Sequence, residues 1–346
     1  MRTLGRRAGF QVAAAVVAHT LWTSAAPALT YPLYAARWHL TTTVTTGMFA
    51  VYPVVVVLTL LLFGNLSDRV GRRATILAGV AASLLGVGLF AVAPGVAWLY
   101  AGRAFMGVGV GLSASPGTAA LVEFSAPGQQ ARASAVATAA TAFGLGMATL
   151  GGGALIQYAP WPLRLNFIVL FGVLAAVFAF AWFLPRPTAA QSASAPPWRP
   201  GTLFVPRAIA HVFATATAAV TAGYVLGALM LSLGGQIARD LIGSGNVLVN
   251  GAALAGGGYS LLVLGGLTLV NAHAPAAHRA GTLSTIYLVG YLAMGATALA
   301  LGVVATRWGL RLALEIGASG IAAAALFAAA LALPMPSPRR QAQGKT

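Results

Sequence analysis

The sequence predicts an all-α polytopic membrane protein with about ten transmembrane helices. Hydrophobic residues make up 59% of the 346 positions and charged residues only 7%, which is too few to cover the surface of a water-soluble domain. Apolar stretches longer than about 18 residues recur along the chain, as helices that cross a bilayer require. Strict apolar–polar alternation, the pattern of a membrane β-barrel, is absent from the sequence. Because lipid offers the backbone no hydrogen bonds, each apolar stretch must be helical.

The apolar stretches and the polar breaks between them give ten predicted spans. They are residues 9–36, 43–64, 74–94, 96–122, 132–158, 164–184, 206–234, 246–271, 280–305 and 310–333. Because ten is an even number, both ends of the chain are predicted to lie on the same side of the membrane.

The distribution of positive charge predicts which side that is. A net charge of +16 is also compatible with nucleic-acid binding, but the Arg residues lie mostly in short connections between apolar stretches, which favours a role in membrane topology. Fourteen of the 20 basic residues fall in segments predicted to be on the inner side: Arg2, Arg6, Arg7, Arg69, Arg72, Arg73, Arg132, Arg186, Arg199, Arg207, Arg279, Arg339, Arg340 and Lys345. Five fall in outer segments: Arg37, Arg164, Arg239, Arg307 and Arg311. We therefore expect a bacterial inner-membrane protein with both termini in the cytoplasm and no nucleic-acid partner.

The N-terminus allows a second interpretation. An Arg pair at residues 6–7 before an apolar run, with small residues at 24–26, is also typical of a secretion signal. The apolar run continues to Tyr34 instead of ending at a small-residue site, so we interpret it as the first span.

A polar stretch rich in Pro, Ala and Ser separates six spans from four. It is interpreted as a flexible cytoplasmic linker between two membrane bundles. The predicted domains are a six-helix bundle at 1–185, a linker at 186–205, a shortened bundle at 206–335 and a cytoplasmic tail at 336–346.

The last two spans of each half look like copies of one another. In both halves 32 residues separate two arginines, Arg132 from Arg164 and Arg279 from Arg311. Parallel repeats of this kind are typical of transporters. Corresponding positions lie further apart in the sequence at the starts of the two halves than at their ends. The difference corresponds to the length of about two spans. About two helices are therefore predicted to be missing from the second half, with the junction near residues 255–258.

The strongest motif lies between the second and third spans. Residues Gly64 to Arg73 read Gly-Asn-Leu-Ser-Asp-Arg-Val-Gly-Arg-Arg. They match the loop pattern Gly-x-Leu-x-Asp-Arg-x-Gly-Arg-(Arg or Lys) at every fixed position, and in this the chain resembles the major facilitator superfamily. The resemblance implies two helical bundles that expose a central site alternately to the two sides of the membrane. It assigns the loop to gating, with Gly64, Asp68, Arg69, Gly71, Arg72 and Arg73 as the gating residues.

In the fourth span, Arg103 is followed by Gly107, Gly109 and Gly111, which resembles a helix of the proton-coupled drug exporters in that family. An ionisable group within a span costs about 2.5–3.5 kcal/mol on insertion scales, so it is expected to face a cavity or a partner. The alternative is an Arg that snorkels toward the outer end of the span.

The fifth span carries glycines predicted to allow close packing of helices. They are Gly144, Gly146, Gly151, Gly152 and Gly153. The antiporters of the family have a Gly-Pro pair ahead of two glycines at this place, and the chain has Ala-Thr instead.

Proton coupling requires a titratable group within the membrane. The four acidic residues lie in loops or toward the ends of spans: Asp68, Glu123, Asp240 and Glu315. Glu315 is expected to pair with Arg311, one turn earlier. His19 in the first span and His211 in the seventh are better-placed candidates, with simple packing as the alternative for each.

Several aromatic residues and one methionine are candidates to line a pocket for an amphipathic ligand. They are Tyr31, Tyr34, Tyr224, Tyr287, Tyr291 and Met106. Anchoring of the helices at the membrane interface is the alternative role for the tyrosines.

The sequence has no cysteine, metal-ligand spacing, phosphate-binding loop or Ser/His/Asp arrangement, so no cofactor, metal or enzymatic activity is predicted. The leading hypothesis is a secondary active transporter that exports drug-like molecules or small metabolites in a proton-linked cycle. Its partners would be a small-molecule substrate, the lipid bilayer and protons. The alternative is a shortened relative that binds a ligand or a partner protein without transporting, because four helices do not enclose a cavity as six do.

Overall fold

The computed structural model describes residues 3–64, 66–126, 128–185, 209–255 and 279–333. Within these ranges the regular elements are helices, without strands, which confirms the predicted all-α fold. In chain order they are α1 (Arg6–Ala25), α2 (Tyr31–Trp38), α3 (Thr42–Phe63), α4 (Leu66–Val70), α5 (Arg72–Val92), α6 (Val96–Phe124), α7 (Gln130–Gly146), α8 (Gly152–Tyr158), α9 (Leu165–Ala181), α10 (Ala210–Gln236), α11 (Val247–Ala255), α12 (Arg279–Trp308) and α13 (Leu310–Ala332). A π-helical turn, Met147–Gly151, joins α7 to α8, and a second, Ile237–Leu241, extends α10.

Seven helical segments in the described part of the chain are long and apolar enough to cross a membrane. They are Thr42–Phe63, Arg72–Val92, Val96–Phe124, Gln130–Tyr158, Ala210–Leu241, Thr285–Trp308 and Leu310–Ala332. Helix α9 is also apolar but shorter, at 17 residues. The chain is thus a multi-pass membrane protein. The number of ten spans stays a prediction, since the eighth is described only from Val247 to Ala255, and the linker at 186–205 and the tail at 336–346 lie outside the described residues.

The first predicted span is corrected by the structure, because α1 and α2 are separate helices joined by a turn. Pro27 has no N–H to donate to a continuing helix. Pro32 lies in the first turn of α2, where a missing N–H has no cost. The Thr30 hydroxyl donates to the Pro27 carbonyl at 2.8 Å and fixes the turn between the two helices.

Glycines bring α6 close to both α5 and α3. A Cβ on Gly109 would lie 2.7 Å from the carbonyl oxygen of Gly79 in α5. On Gly107 it would lie 2.9 Å from the carbonyl oxygen of Tyr52 in α3. Contacts this short leave room only for hydrogen atoms at the crossings. They hold Arg103, one turn earlier on α6, close to both neighbouring helices.

Three of the five glycines predicted to pack the fifth span lie at helix contacts. A Cβ on Gly144 would lie 3.2 Å from the backbone nitrogen of Trp22 in α1, and one on Gly152 would lie 3.1 Å from the side chain of Asn166 in α9. A Cβ on Gly153 would lie 3.1 Å from the backbone of α11. The fifth span therefore packs against helices from both halves of the chain.

The other two glycines of the set have more room. A Cβ on Gly146 would meet no atom within 4 Å. A Cβ on Gly151 would meet the flexible side chain of Met147 in the preceding turn, at 3.1 Å. Close packing against a neighbouring helix thus does not account for glycine at these two positions.

Substitution of Gly144 by Ala should lower the free energy of unfolding by about 1–3 kcal/mol, since the added methyl group meets the backbone of α1. The matched substitution Gly146→Ala, two residues further along α7 and facing open space, should leave stability unchanged or raise it by up to about 1 kcal/mol, because Ala favours helix over Gly. Thermal unfolding in detergent, followed by size-exclusion chromatography, measures both. Equal melting temperatures for the two variants would contradict the assigned α1–α7 contact.

Candidate functional site

A small pocket with a cavity volume of about 40 Å³ lies between the N-terminal half (residues 3–185) and the C-terminal half (residues 209–333) of the described chain. Helices α1, α7, α10 and α12 form its walls. The lining residues are Leu21, Ser24, Leu145, Tyr224, Leu226, Gly227, Met230, Leu231, Tyr291 and Met294. Two of the residues predicted from the sequence, Tyr224 and Tyr291, are therefore brought together here.

The wall of this pocket is mainly apolar, with an aromatic cluster on the side of the C-terminal half. The rings of Tyr224 and Tyr291 meet edge to face with centroids 4.8 Å apart, and the ring of Tyr287 lies 6.5 Å from that of Tyr291. Gly290 leaves space for the cluster, because a Cβ there would lie 3.2 Å from the Tyr224 ring. Aromatic faces together with flexible leucine and methionine side chains suit an amphipathic molecule.

Arg103 lies directly behind the pocket wall. It is fully buried, with 0% of its surface exposed, and its Nη1 donates a hydrogen bond of 2.9 Å to the carbonyl of Ser24, a lining residue. Its guanidinium carbon lies 4.5 Å from the ring centroid of Tyr52 and 5.6 Å from that of Phe49. Arg103 thus joins α6 to α1 and α3 and does not extend toward an end of its helix.

The surroundings of Arg103 leave part of its hydrogen-bonding capacity unused. Nε and Nη2 of Arg103 have no hydrogen-bond partner among the described residues, and the same holds for the buried hydroxyl of Tyr31. The Tyr52 side chain lies close enough to those of Ser24 and Tyr291 to interact with both. A continuous set of contacts therefore runs from the buried cation to the aromatic cluster of the pocket.

Two other predicted candidates pack inside the N-terminal half and do not line the pocket. Met106 is fully buried against α5, where a Cβ on Gly86 would lie 2.8 Å from its side chain. Tyr34 stacks on Trp38 with ring centroids 5.0 Å apart, and its hydroxyl donates to the Leu163 carbonyl at 3.2 Å. Both residues are in contacts that stabilise the fold.

The two histidines lie in different environments, one buried and one exposed. His19 is buried on α1, where Nδ1 contacts the Val16 carbonyl of the same helix and Nε2 lies 3.5 Å from the Ser83 hydroxyl of α5. His211 is exposed in the first turn of α10. Neither lines the pocket.

The loop with the family motif is anchored to α6 and to the segment after α9. Gly71 has a φ of 89°, which favours glycine, and it precedes the first residue of α5. Arg72 forms an ion pair with Glu123 near the end of α6. The guanidinium of Arg73 lies 5.4 Å from the ring centroid of Trp182.

The remaining motif residues occupy short helical backbone. Gly64 has a helical φ of −54° and follows the last residue of α3. Arg69 is exposed on α4, which also contains Asp68. The side chain of Asp68 lies outside the described part of the structure.

The acidic residues lie away from the pocket wall. Glu315 accepts a hydrogen bond of 3.1 Å from Arg311 Nε, which confirms the predicted pair. Asp240 lies in the π-turn after α10. The pair formed by Glu123 and Arg72 was not predicted, because 51 residues separate its partners and no helical periodicity relates them.

Hydrogen bonds join the two halves on the side opposite the Gly64–Arg73 loop, which we call the opposite side. The Thr43 N–H donates to the Thr306 hydroxyl at 2.9 Å, and the two hydroxyl oxygens are 2.8 Å apart. Nearby, a Cβ on Gly302 would lie 2.8 Å from that of Thr46, so α3 and α12 are in direct contact. These contacts hold α3 and α12 together at this end of the two halves.

Two further contacts lie on the opposite side. The Val247 N–H at the start of α11 donates to the Gln157 side-chain oxygen at the end of α8, at 2.8 Å. Arg239 Nη1 donates to the Pro32 carbonyl of α2 at 3.3 Å. Sequence patterns did not predict either contact, since each joins residues from different halves of the chain.

A family model described as Major Facilitator Superfamily matches residues 12–230. The multidrug efflux pump LfrA of Mycolicibacterium smegmatis is 33% identical over 136 residues, which cover 39% of this chain but only 27% of the pump. The match therefore spans about a quarter of that relative's length.

Solved structures with a similar fold include a peptide transporter POT in complex with sulfate, with a TM-score of 0.67 at 14% identity, covering 95% of this chain and 94% of that one. The POT family transporter PepTSo has a TM-score of 0.68 at 12% identity, with 95% and 97% covered. A POT family transporter in complex with 5-aminolevulinic acid has a TM-score of 0.64 at 10% identity, with 94% and 95% covered. Each of these proteins is named as a transporter or a pump. With the family match over more than half of its length and this shared fold, the chain belongs to the Major Facilitator Superfamily.

Proposed function

We propose that the protein is a secondary active transporter that exports drug-like amphipathic molecules or small metabolites, linked to proton movement, by alternating access. The observation that carries the proposal is the pocket between the two halves of the chain. A site in this position can open alternately to the two sides of the membrane as the halves move relative to each other.

The composition of the pocket supports an amphipathic substrate. Leucine and methionine side chains adapt to irregular shapes, and the Tyr224–Tyr291 pair offers both an apolar ring surface and hydroxyl groups. The related protein LfrA is named a multidrug efflux pump, and the segment it shares with this chain supports the same substrate class here.

Alternating access further requires two bodies and a gate. We propose that residues 1–185 and 206–335 form the two bundles and that residues 186–205 connect them. The gate on the loop side would be the motif from Gly64 to Arg73, and the gate on the opposite side the Thr43–Thr306 contact. The surplus of basic residues in segments on the loop side supports a cytoplasmic location for that side, in a bacterial inner membrane.

Proton linkage requires a group that exchanges a proton within the membrane. We propose His19, because it is buried on α1 and its Nε2 lies 3.5 Å from the Ser83 hydroxyl of α5. It precedes Leu21, the first pocket-lining residue of α1, by two positions. The carboxylates of Glu123, Asp240 and Glu315 are less suited, since all three are exposed whereas His19 is buried.

A second candidate function is ligand or partner binding without transport. On the side of the C-terminal half, the described pocket wall comes from α10 and α12, which agrees with a bundle shorter than six helices. Such a protein would bind amphipathic molecules and fail to move them.

Purified protein in liposomes with an acidic interior should take up at least one of three dansyl probes faster than empty liposomes do. The probes are dansylglycine (anionic), dansylamide (neutral) and dansylcadaverine (cationic). Collapse of the pH gradient should remove the difference. The variant Tyr291→Ala should slow uptake about tenfold, because an aromatic contact worth about 1.4 kcal/mol is lost, while Tyr158→Ala, at an exposed position at the end of α8, should not. Binding of the probes without uptake under any gradient would support the second candidate function instead.

Replacement of Asp68 by Asn should slow transport about tenfold or more without preventing membrane insertion, because the loop is proposed to control gating and not substrate contact. Initial rates and the amount of protein in the membrane are measured together. Glu315→Gln is the control, since that carboxylate belongs to an exposed pair worth less than about 1 kcal/mol. Equal rates for the Asp68→Asn variant and the unmodified protein would exclude the loop as a gate.

The double substitution Thr43→Val and Thr306→Val should increase access to the pocket from the opposite side, because it removes the hydroxyl contact between α3 and α12. The sequence has no cysteine, so a single Leu145→Cys substitution in the pocket wall gives one labelling position. An impermeant maleimide added on the opposite side should label it several-fold faster in the double variant. No change in labelling would show that these hydroxyls do not hold the gate closed.

A further inference from the structure

We propose that Arg103 determines the charge of the substrate, so that the pocket accepts anionic and neutral amphipathic molecules and disfavours cations. The inference rests on the proposed function, since it concerns the same pocket. Arg103 does not line the pocket itself, and it would act on the substrate through its charge from directly behind the pocket wall.

Among the residues that the structure describes, no acidic side chain pairs with this guanidinium. The chain has only four acidic side chains. Glu123 pairs with Arg72 and Glu315 pairs with Arg311. The other two are Asp68 in α4 and Asp240 in the π-turn after α10, and no residue of either element lines the pocket. Since an arginine stays protonated in proteins, a full positive charge remains behind the wall.

The position of the charge makes it effective inside the pocket. Nη1 lies 2.9 Å from the carbonyl oxygen of Ser24, and Ser24 itself lines the pocket. Arg103 has no exposed surface, so water does not screen it as it would at the protein surface. Two of its nitrogens, Nε and Nη2, have no hydrogen-bond partner in the part of the chain that the structure describes. Without acceptors on these two nitrogens, neighbouring groups compensate the positive charge of Arg103 only in part, so it favours negative charge in the pocket.

The aromatic groups beside Arg103 offer little to a cationic ligand. The faces of Tyr52 and Phe49 are already covered by the guanidinium, at 4.5 and 5.6 Å. Tyr224 and Tyr291 line the pocket, and their edge-to-face contact already uses part of the ring surfaces. A cation in the pocket would therefore meet an unpaired like charge without a carboxylate to compensate.

The test compares the three dansyl probes, which share one fluorophore and differ in charge. Equilibrium binding to the purified full-length protein is measured by dansyl fluorescence in nanodiscs of zwitterionic lipid, so that the lipid contributes no net charge. We expect dansylglycine to bind at least about tenfold more tightly than dansylcadaverine, with dansylamide between them. An equal affinity for the anion and the cation, or a preference for the cation, would overturn the proposal without any variant.

Two variants separate charge from structure. Arg103→Met should weaken dansylglycine binding about tenfold, strengthen dansylcadaverine binding, and change dansylamide binding less than about twofold. Arg103→Lys keeps the charge and should keep the order of preference. The proposal would be contradicted if Arg103→Met weakened the binding of all three probes to the same extent and Arg103→Lys also lost the order of preference. Arg103 would then have a structural role only.

The experiments distinguish a failure of the inference about charge from a failure of the proposed transport function. A protein that prefers the anion in nanodiscs but moves no probe in liposomes would keep the inference and lose the transport function. A protein that transports the cation in preference to the anion would keep the transport function and lose the inference.

Discussion

The burial of one guanidinium among apolar helices constrains the rest of this structure. A charged group at membrane depth costs at least about 2.5–3.5 kcal/mol, so Arg103 has to be compensated by its neighbours. The Ser24 carbonyl on α1 supplies a hydrogen bond, worth about 1.5–3 kcal/mol to a charged donor. The rings of Tyr52 and Phe49 on α3 supply cation–π contacts of about 0.5–2 kcal/mol. Compensation of this size is available only if α1, α3 and α6 stay within a few ångströms of each other.

Glycine makes that proximity possible. The residues that follow Arg103 on α6 include Gly107, which faces the backbone of α3, and Gly109, which faces the backbone of α5. The motif of one arginine and spaced glycines is thus a single structural unit: the glycines bring the helices together, and the arginine uses the resulting contacts. The pocket lies immediately beyond this unit, with Ser24 as the shared residue.

Hydropathy was enough to predict the class of fold, because a lipid environment forces helices on any long apolar stretch. It did not predict the break between α1 and α2, where the apolar run continues through Pro27 and Thr30 although the helix does not. In the site, Tyr224 and Tyr291 were predicted as pocket residues because aromatic side chains stand out in an apolar sequence. Ser24 and Leu145 were not, since small and aliphatic residues in a span carry no signal until tertiary contacts place them. The same reason applies to the Arg72–Glu123 pair, which depends on the packing of α5 against α6.

The contact between α3 and α12 on the opposite side consists of neutral groups, the hydroxyls of Thr43 and Thr306 and a backbone N–H. Separation of these groups moves no net charge through the electric field of the membrane. The transmembrane voltage therefore does no work on this contact, and ionic strength does not screen it. Depolarisation of the membrane would therefore leave the strength of the Thr43–Thr306 contact unchanged.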